Sequence, residues 1–63
     1  MNYQDRITSD HTVMLGKPVI KGTRITVEII LKKLAERATI DDIIEMYPHI
    51  KKEDILAAID YNS

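Results

Sequence analysis

The chain has no cysteine, no phenylalanine and no tryptophan, and its 63 residues include only two glycines and two prolines. Each shortage excludes something. Without thiols there is no disulfide framework, no cysteine nucleophile and no thiolate metal site. No apolar run approaches the roughly 20 residues that span a bilayer, so no membrane helix is expected. The opening MNYQDRITSD lacks the apolar core of a secretory signal, and a cytoplasmic location is the matching expectation. The two glycines, Gly16 and Gly22, are six apart, and the second is followed by Thr-Arg. A Walker phosphate loop needs its second glycine followed by Lys and then Ser or Thr, between a buried strand and a helix. A nucleotide site of that kind is therefore excluded.

What is present reads as one soluble globular domain, residues 1–63, with 44% hydrophobic and 30% charged residues. A domain this small buries only about 60% of the surface its unfolded chain exposes. With no disulfide and no convincing metal site, a second copy or a bound partner is the expected extra support. The net charge of −1 is unevenly spread. Residues 1–37 hold seven Lys or Arg against four Asp or Glu, a surplus of +3, and residues 38–63 hold two against six, −4. Such asymmetry suits a basic binding face or a self-complementary oligomer, and equally a set of ordinary solvated helix faces.

The stretch GKPVIKGTRITVE, residues 16–28, concentrates the local signals. Val19-Ile20 and Arg24-Ile25 flank Lys21-Gly22-Thr23, the pattern of a small hairpin whose glycine supplies a positive φ. Pro18 fits the start of an edge strand. Upstream, Ile7-Thr8 suggests a short strand, and the run Val13, Met14, Leu15 is expected to reach the core.

Three helices should follow. Thr26 reads as an N-cap with Glu28 in the first turn, and Val27, Ile30, Leu31, Leu34 and Ala38 recur at helical spacing. Thr39-Ile40-Asp41-Asp42 resembles a capping box with Asp in place of Glu. Ile40, Ile43, Ile44 and Tyr47 form the second apolar face, and Pro48 ends that helix. The third runs from about Lys52 to Tyr61, with Ile55, Ala58 and Ile59 inward and Glu53, Asp54, Ala57, Asp60 and Tyr61 outward. The short connection between the second and third helices is the spacing of a helix-turn-helix at about 40–61. The expected architecture is mainly α: a strand and hairpin segment over 1–25, then a three-helix bundle over 26–63.

Catalytic chemistry finds no foothold in this pattern. His11 and His49 fall in loops without metal-ligand spacing. Asp41-Asp42 and Glu53-Asp54 sit at helix starts, where capping accounts for them. No catalytic residue, metal, cofactor or small-molecule substrate is expected. A helix-turn-helix places its second helix in the major groove, yet the outward face of the third helix is acidic and phosphates would repel it.

The order of motifs RITSD, GKPVIKGTRITVEIIL and LAERATIDDIIEMYPHIKKEDILAAIDY resembles the bacterial and archaeal family known as domain of unknown function 433, over nearly the whole chain. That resemblance implies a helix-turn-helix, homeodomain-like fold. Many members are similar to antitoxins of type II toxin–antitoxin pairs, encoded beside a PIN-like ribonuclease toxin. By resemblance, the chain would bind such a toxin and operator DNA as a homodimer. The alternative is a protein-interaction module without nucleic-acid binding. Candidate DNA contacts are Lys17, Lys21 and Arg24 on the hairpin and Lys51 and Lys52 at the third helix. Candidate partner or dimer contacts are Ile29, Lys33 and Tyr61. The sequence departs from the family pattern at Arg37, where glycine is usual, at His11, where proline is usual, and at Lys51, where a small hydroxyl residue is usual. The third helix is thus expected to lack its N-cap. Many members also continue with a charged tail beyond the position of Ser63.

Overall fold

The computed structural model describes residues 3–12 and 14–61. Two short strands, β1 (Ile7–Thr8) and β2 (Val19–Ile20), precede three helices, α1 (Val27–Ala35), α2 (Ile40–Met46) and α3 (Lys52–Tyr61). Single 3₁₀ turns at Tyr3–Arg6 and Met14–Gly16 complete the elements. The mainly α architecture with a small N-terminal β pair is the one the sequence predicts.

The expected hairpin is present in reduced form, as one antiparallel bridge between Val19 and Thr26, and β2 gains a further neighbour. β2 pairs with β1 in antiparallel register, Ile7 opposite Ile20 and Thr8 opposite Val19. Residues 24–25 form no strand. They return as a turn, with the Ile20 N–H donating to the Ile25 carbonyl at 2.9 Å and the Val27 N–H to the Pro18 carbonyl at 3.0 Å. Thr23 organises this turn. Its hydroxyl donates to the Ile20 carbonyl at 2.8 Å and accepts from the Ile25 N–H at 3.0 Å. Gly22 sits at φ 81°, as its place in a tight turn demands. The hydroxyl and the glycine bend the chain within a few residues, and α1 begins at Val27, so the returning segment pairs with β2 through a single bridge only.

The helix ends follow from local chemistry. The Thr26 hydroxyl accepts the Ile29 N–H at 3.0 Å. At α2, the Thr39 hydroxyl accepts the Asp42 N–H at 3.0 Å while Asp42 accepts the Thr39 N–H at 2.9 Å, a complete capping box. Tyr47 ends α2 at φ −128°, ψ 83°, outside the helical region that a following proline disfavours. The end of α1 is less expected. Arg37 takes φ 73°, its N–H donating to the Leu34 carbonyl and that of Ala38 to the Lys33 carbonyl, each at 3.0 Å. This is a Schellman motif, which normally employs glycine.

The core is largely isoleucine: Ile20, Ile30, Ile43, Ile50 and Ile55 are buried, with Val27 and Ala58 among them. Each such isoleucine contributes about 1.5–3 kcal/mol of burial. Ile50 lies in the α2–α3 connection yet is fully inside, so that connection is pinned to the core. Met14 and Leu15 are exposed, Leu15 to 92%, and do not reach the core. Their backbones hold φ 51° and 57°, and Gly16 follows at 83°. A left-handed residue other than glycine costs about 1–2 kcal/mol, and this geometry turns both side chains away from the interior. Val13 lies outside the described residues.

Candidate nucleic-acid and partner-binding surfaces

α3 is the element on which base reading would depend, and its surroundings are not those of a free helix. The 3₁₀ turn at Tyr3–Arg6 packs along it. Asp54 and Ala57, expected outward, are buried at 7% and 1% exposure. Ile59, expected inward, is 43% exposed. The buried face of α3 is wider than the sequence-based assignment, because the N-terminal turn packs against it and Arg6 pairs with Asp54, while Ile55 and Ala58 stay inside as expected. Helical spacing alone carries no information about that neighbour.

Asp54 is the hub of this arrangement. One carboxylate oxygen, Oδ1, accepts from the Arg6 guanidinium at 2.9 Å. The other, Oδ2, accepts the Lys51 N–H at 2.9 Å. Lys51 has no side-chain oxygen to cap α3, so the carboxylate three residues on supplies half of a capping box. The expected loss of the cap is in this respect made good. Arg6 in turn accepts the Lys21 N–H on its carbonyl at 2.8 Å. The path Lys21–Arg6–Asp54–Lys51 therefore joins the hairpin turn to the start of α3 by three hydrogen bonds. The backbones of two candidate basic residues 30 positions apart in sequence are linked in this way, with Lys52 next in the chain.

The remaining candidates scatter. Lys17 lies 3.7 Å from Glu28 Oε2, with both side chains exposed. Arg24 is exposed and borders a shallow recess with Asp10 and Thr23. The Thr12 N–H and, after it, the Thr12 hydroxyl bond Asp10 and hold its carboxyl below the ordinary carboxylate value. Ile29 is 36% exposed, and Lys33 reaches Glu36 Oε1 at 4.0 Å. Tyr61 joins Pro18, Val27 and Leu31 in a cleft of about 260 Å³, with Lys17 and Glu28 also in its lining. Neither Ile29 nor Lys33 lines it, so Tyr61 belongs to a different surface from the other two.

Arg6 and Asp54 escaped the sequence reading. Asp54 sits in the first turn of a helix, where capping already accounted for a carboxylate. Arg6 lies 48 positions away, and nothing local ties it to α3. Among the described residues, no group of three or more His, Asp or Glu side chains is placed to hold a metal, and no helix is long and apolar enough to cross a membrane.

The family described as "Protein of unknown function (DUF433)" matches residues 7–62. A DUF433 member protein from Anabaena variabilis, solved by crystallography, superposes with a TM-score of 0.86 at 29% sequence identity over 92% of this chain. The chain spans 57% of the length of that protein. No curated protein matches. The chain belongs to the DUF433 family.

Proposed function

We propose that this chain is a protein-binding regulator of the antitoxin kind, engaging a PIN-like ribonuclease through protein contacts rather than reading DNA with α3. One observation carries the choice of mode: the face of α3 that should enter a major groove holds Asp54 and Ala57, and both are buried. A recognition helix must present its side chains to base edges. The exposed remainder of α3 is Lys52, Ile59, Asp60 and Tyr61, so a single positive charge at its first residue is all it offers to phosphates. The antitoxin role itself is supported by the family resemblance. Co-purification of the chain with a PIN-like nuclease from the same genome, and inhibition of that nuclease at equimolar ratio, are the expected results. A nuclease left fully active and unretained would overturn the proposal.

A second reading is favoured by three exposed lysines, Lys21, Lys51 and Lys52, the backbones of the first two being linked through the Arg6–Asp54 pair. Under it, Lys21, Lys51 and Lys52 touch the phosphate backbone without reading sequence. Binding would then be weak, salt-dependent and indifferent to sequence. Fluorescence anisotropy with unrelated duplexes at low salt distinguishes this from operator recognition, which would favour one duplex strongly.

A further inference from the structure

Among the described residues, positive φ outside glycine occurs at Met14, Leu15 and Arg37, and the first two are adjacent. A left-handed residue other than glycine is strained by its own Cβ. Such strain persists only where the surrounding structure enforces it, and here the enforcement is visible. The Lys17 N–H closes the turn on the Met14 carbonyl at 3.1 Å. Gly16 continues the left-handed path at φ 83°. The His11 imidazole stands beside that glycine, its Nδ1 3.6 Å from where a Cβ would lie. The fold gains little burial from this arrangement, since Leu15 is 92% and Met14 44% exposed. Backbone strain and an apolar side chain in water both oppose folding, so what favours the turn lies outside the chain.

We propose that Leu15, with Met14 beside it, is an apolar knob that enters a pocket on the protein partner. This rests on the regulator reading above and adds to it the contact residue and the character of the partner's surface, an apolar pocket that admits one leucine side chain. Charge and area select a protein over other occupants. Apolar wedges do enter base steps in a minor groove, but from proteins that surround the wedge with cations. Here the nearest cation along the chain, Lys17, lies 3.7 Å from Glu28, and that carboxylate repels phosphates. A bilayer needs more, because even a whole myristoyl chain binds it only marginally. A protein pocket needs one well-fitted side chain, since a few buried anchors carry most of an interface's energy.

Titration calorimetry of a PIN-like nuclease from the same genome against the wild-type chain and Leu15→Asn tests this, with thermal melts followed by circular dichroism. Asparagine tolerates the left-handed region, so the variant loses the apolar group and keeps the turn. It should melt no earlier than the wild type. It should bind the nuclease about 10- to 100-fold more weakly, the range that corresponds to one leucine side chain left unburied. A merely structural role for Leu15 would instead lower the melting temperature, and that result would overturn the inference. Nuclease binding indifferent to Leu15→Asn would overturn it too, while leaving the regulator reading in place. A wild-type chain that fails to bind the nuclease would overturn both.

Discussion

Removing Arg6 tests how the N-terminal turn is held on α3. The Arg6→Ala change deletes a 2.9 Å bond to Asp54 Oδ1 and leaves the 2.9 Å bond from the Lys51 N–H to Oδ2 intact. A hydrogen bond involving charged groups contributes about 1.5–3 kcal/mol. The Arg6 side chain is 32% exposed and that of Asp54 is 10% exposed, so solvent screens part of the pair. A loss of about 1–2 kcal/mol is expected. Asp54→Ala removes both bonds and half of a capping box worth about 1 kcal/mol, for a total of about 2–3 kcal/mol. The double variant should lose less than the sum, with a coupling near 1 kcal/mol. Urea denaturation of the four proteins measures all three quantities. In a domain of this size each kcal/mol moves the melting temperature by about 4–8 °C, so Arg6→Ala should melt visibly earlier. A coupling below about 0.3 kcal/mol would refute the bridge as the link between turn and helix.

Arg37→Gly should stabilise the protein by about 0.5–1 kcal/mol, since the left-handed φ of 73° strains arginine and not glycine; Arg37→Ala should give no such gain in the same denaturation series. Ile50→Ala should cost about 2–5 kcal/mol although it lies in a connection, because its side chain is 1% exposed; an effect below 1 kcal/mol would show the connection is not pinned. The carboxyl of Asp10 is depressed by its bonds from Thr12. Such a group stabilises the fold above its unfolded value and loses that contribution as pH falls through its lower folded value. In Thr12→Val the hydroxyl bond is gone and the backbone bond remains, so an NMR titration should show the Asp10 midpoint moving part of the way back up, with the stability that Asp10 contributes above its unfolded value reduced.

Sequence made the helices legible because their signals are local. Thr26, Thr39 with Asp42, and Tyr47 before Pro48 act within four residues of themselves, and each sits where its chemistry requires. The positive φ of Gly22 was legible for the same reason. What escaped depends on distant partners. Ala57 is buried because residues 3–6 lie over α3, and Asp54 because Arg6 crosses 48 positions to meet it. Leu15 looked like core by composition, and only the left-handed backbone from Met14 to Gly16 sends it outward. The basic candidates were named correctly as charges, but their grouping was not readable. The backbones of Lys21 and Lys51 are linked only through the Arg6–Asp54 bridge, while Lys17 is paired with Glu28 at the cleft.

The central claim is that α3 does not read DNA and that the chain acts on a protein partner. The most direct measurement is anisotropy with a labelled duplex carrying the chain's own upstream sequence, in competition with an unrelated duplex and alongside titration of the proposed PIN-like nuclease partner. The account predicts tight saturable binding of the nuclease and no preference between duplexes. A strong preference for the upstream duplex at moderate salt, lost on substituting Asp60 and Tyr61 on the exposed side of α3, would contradict it.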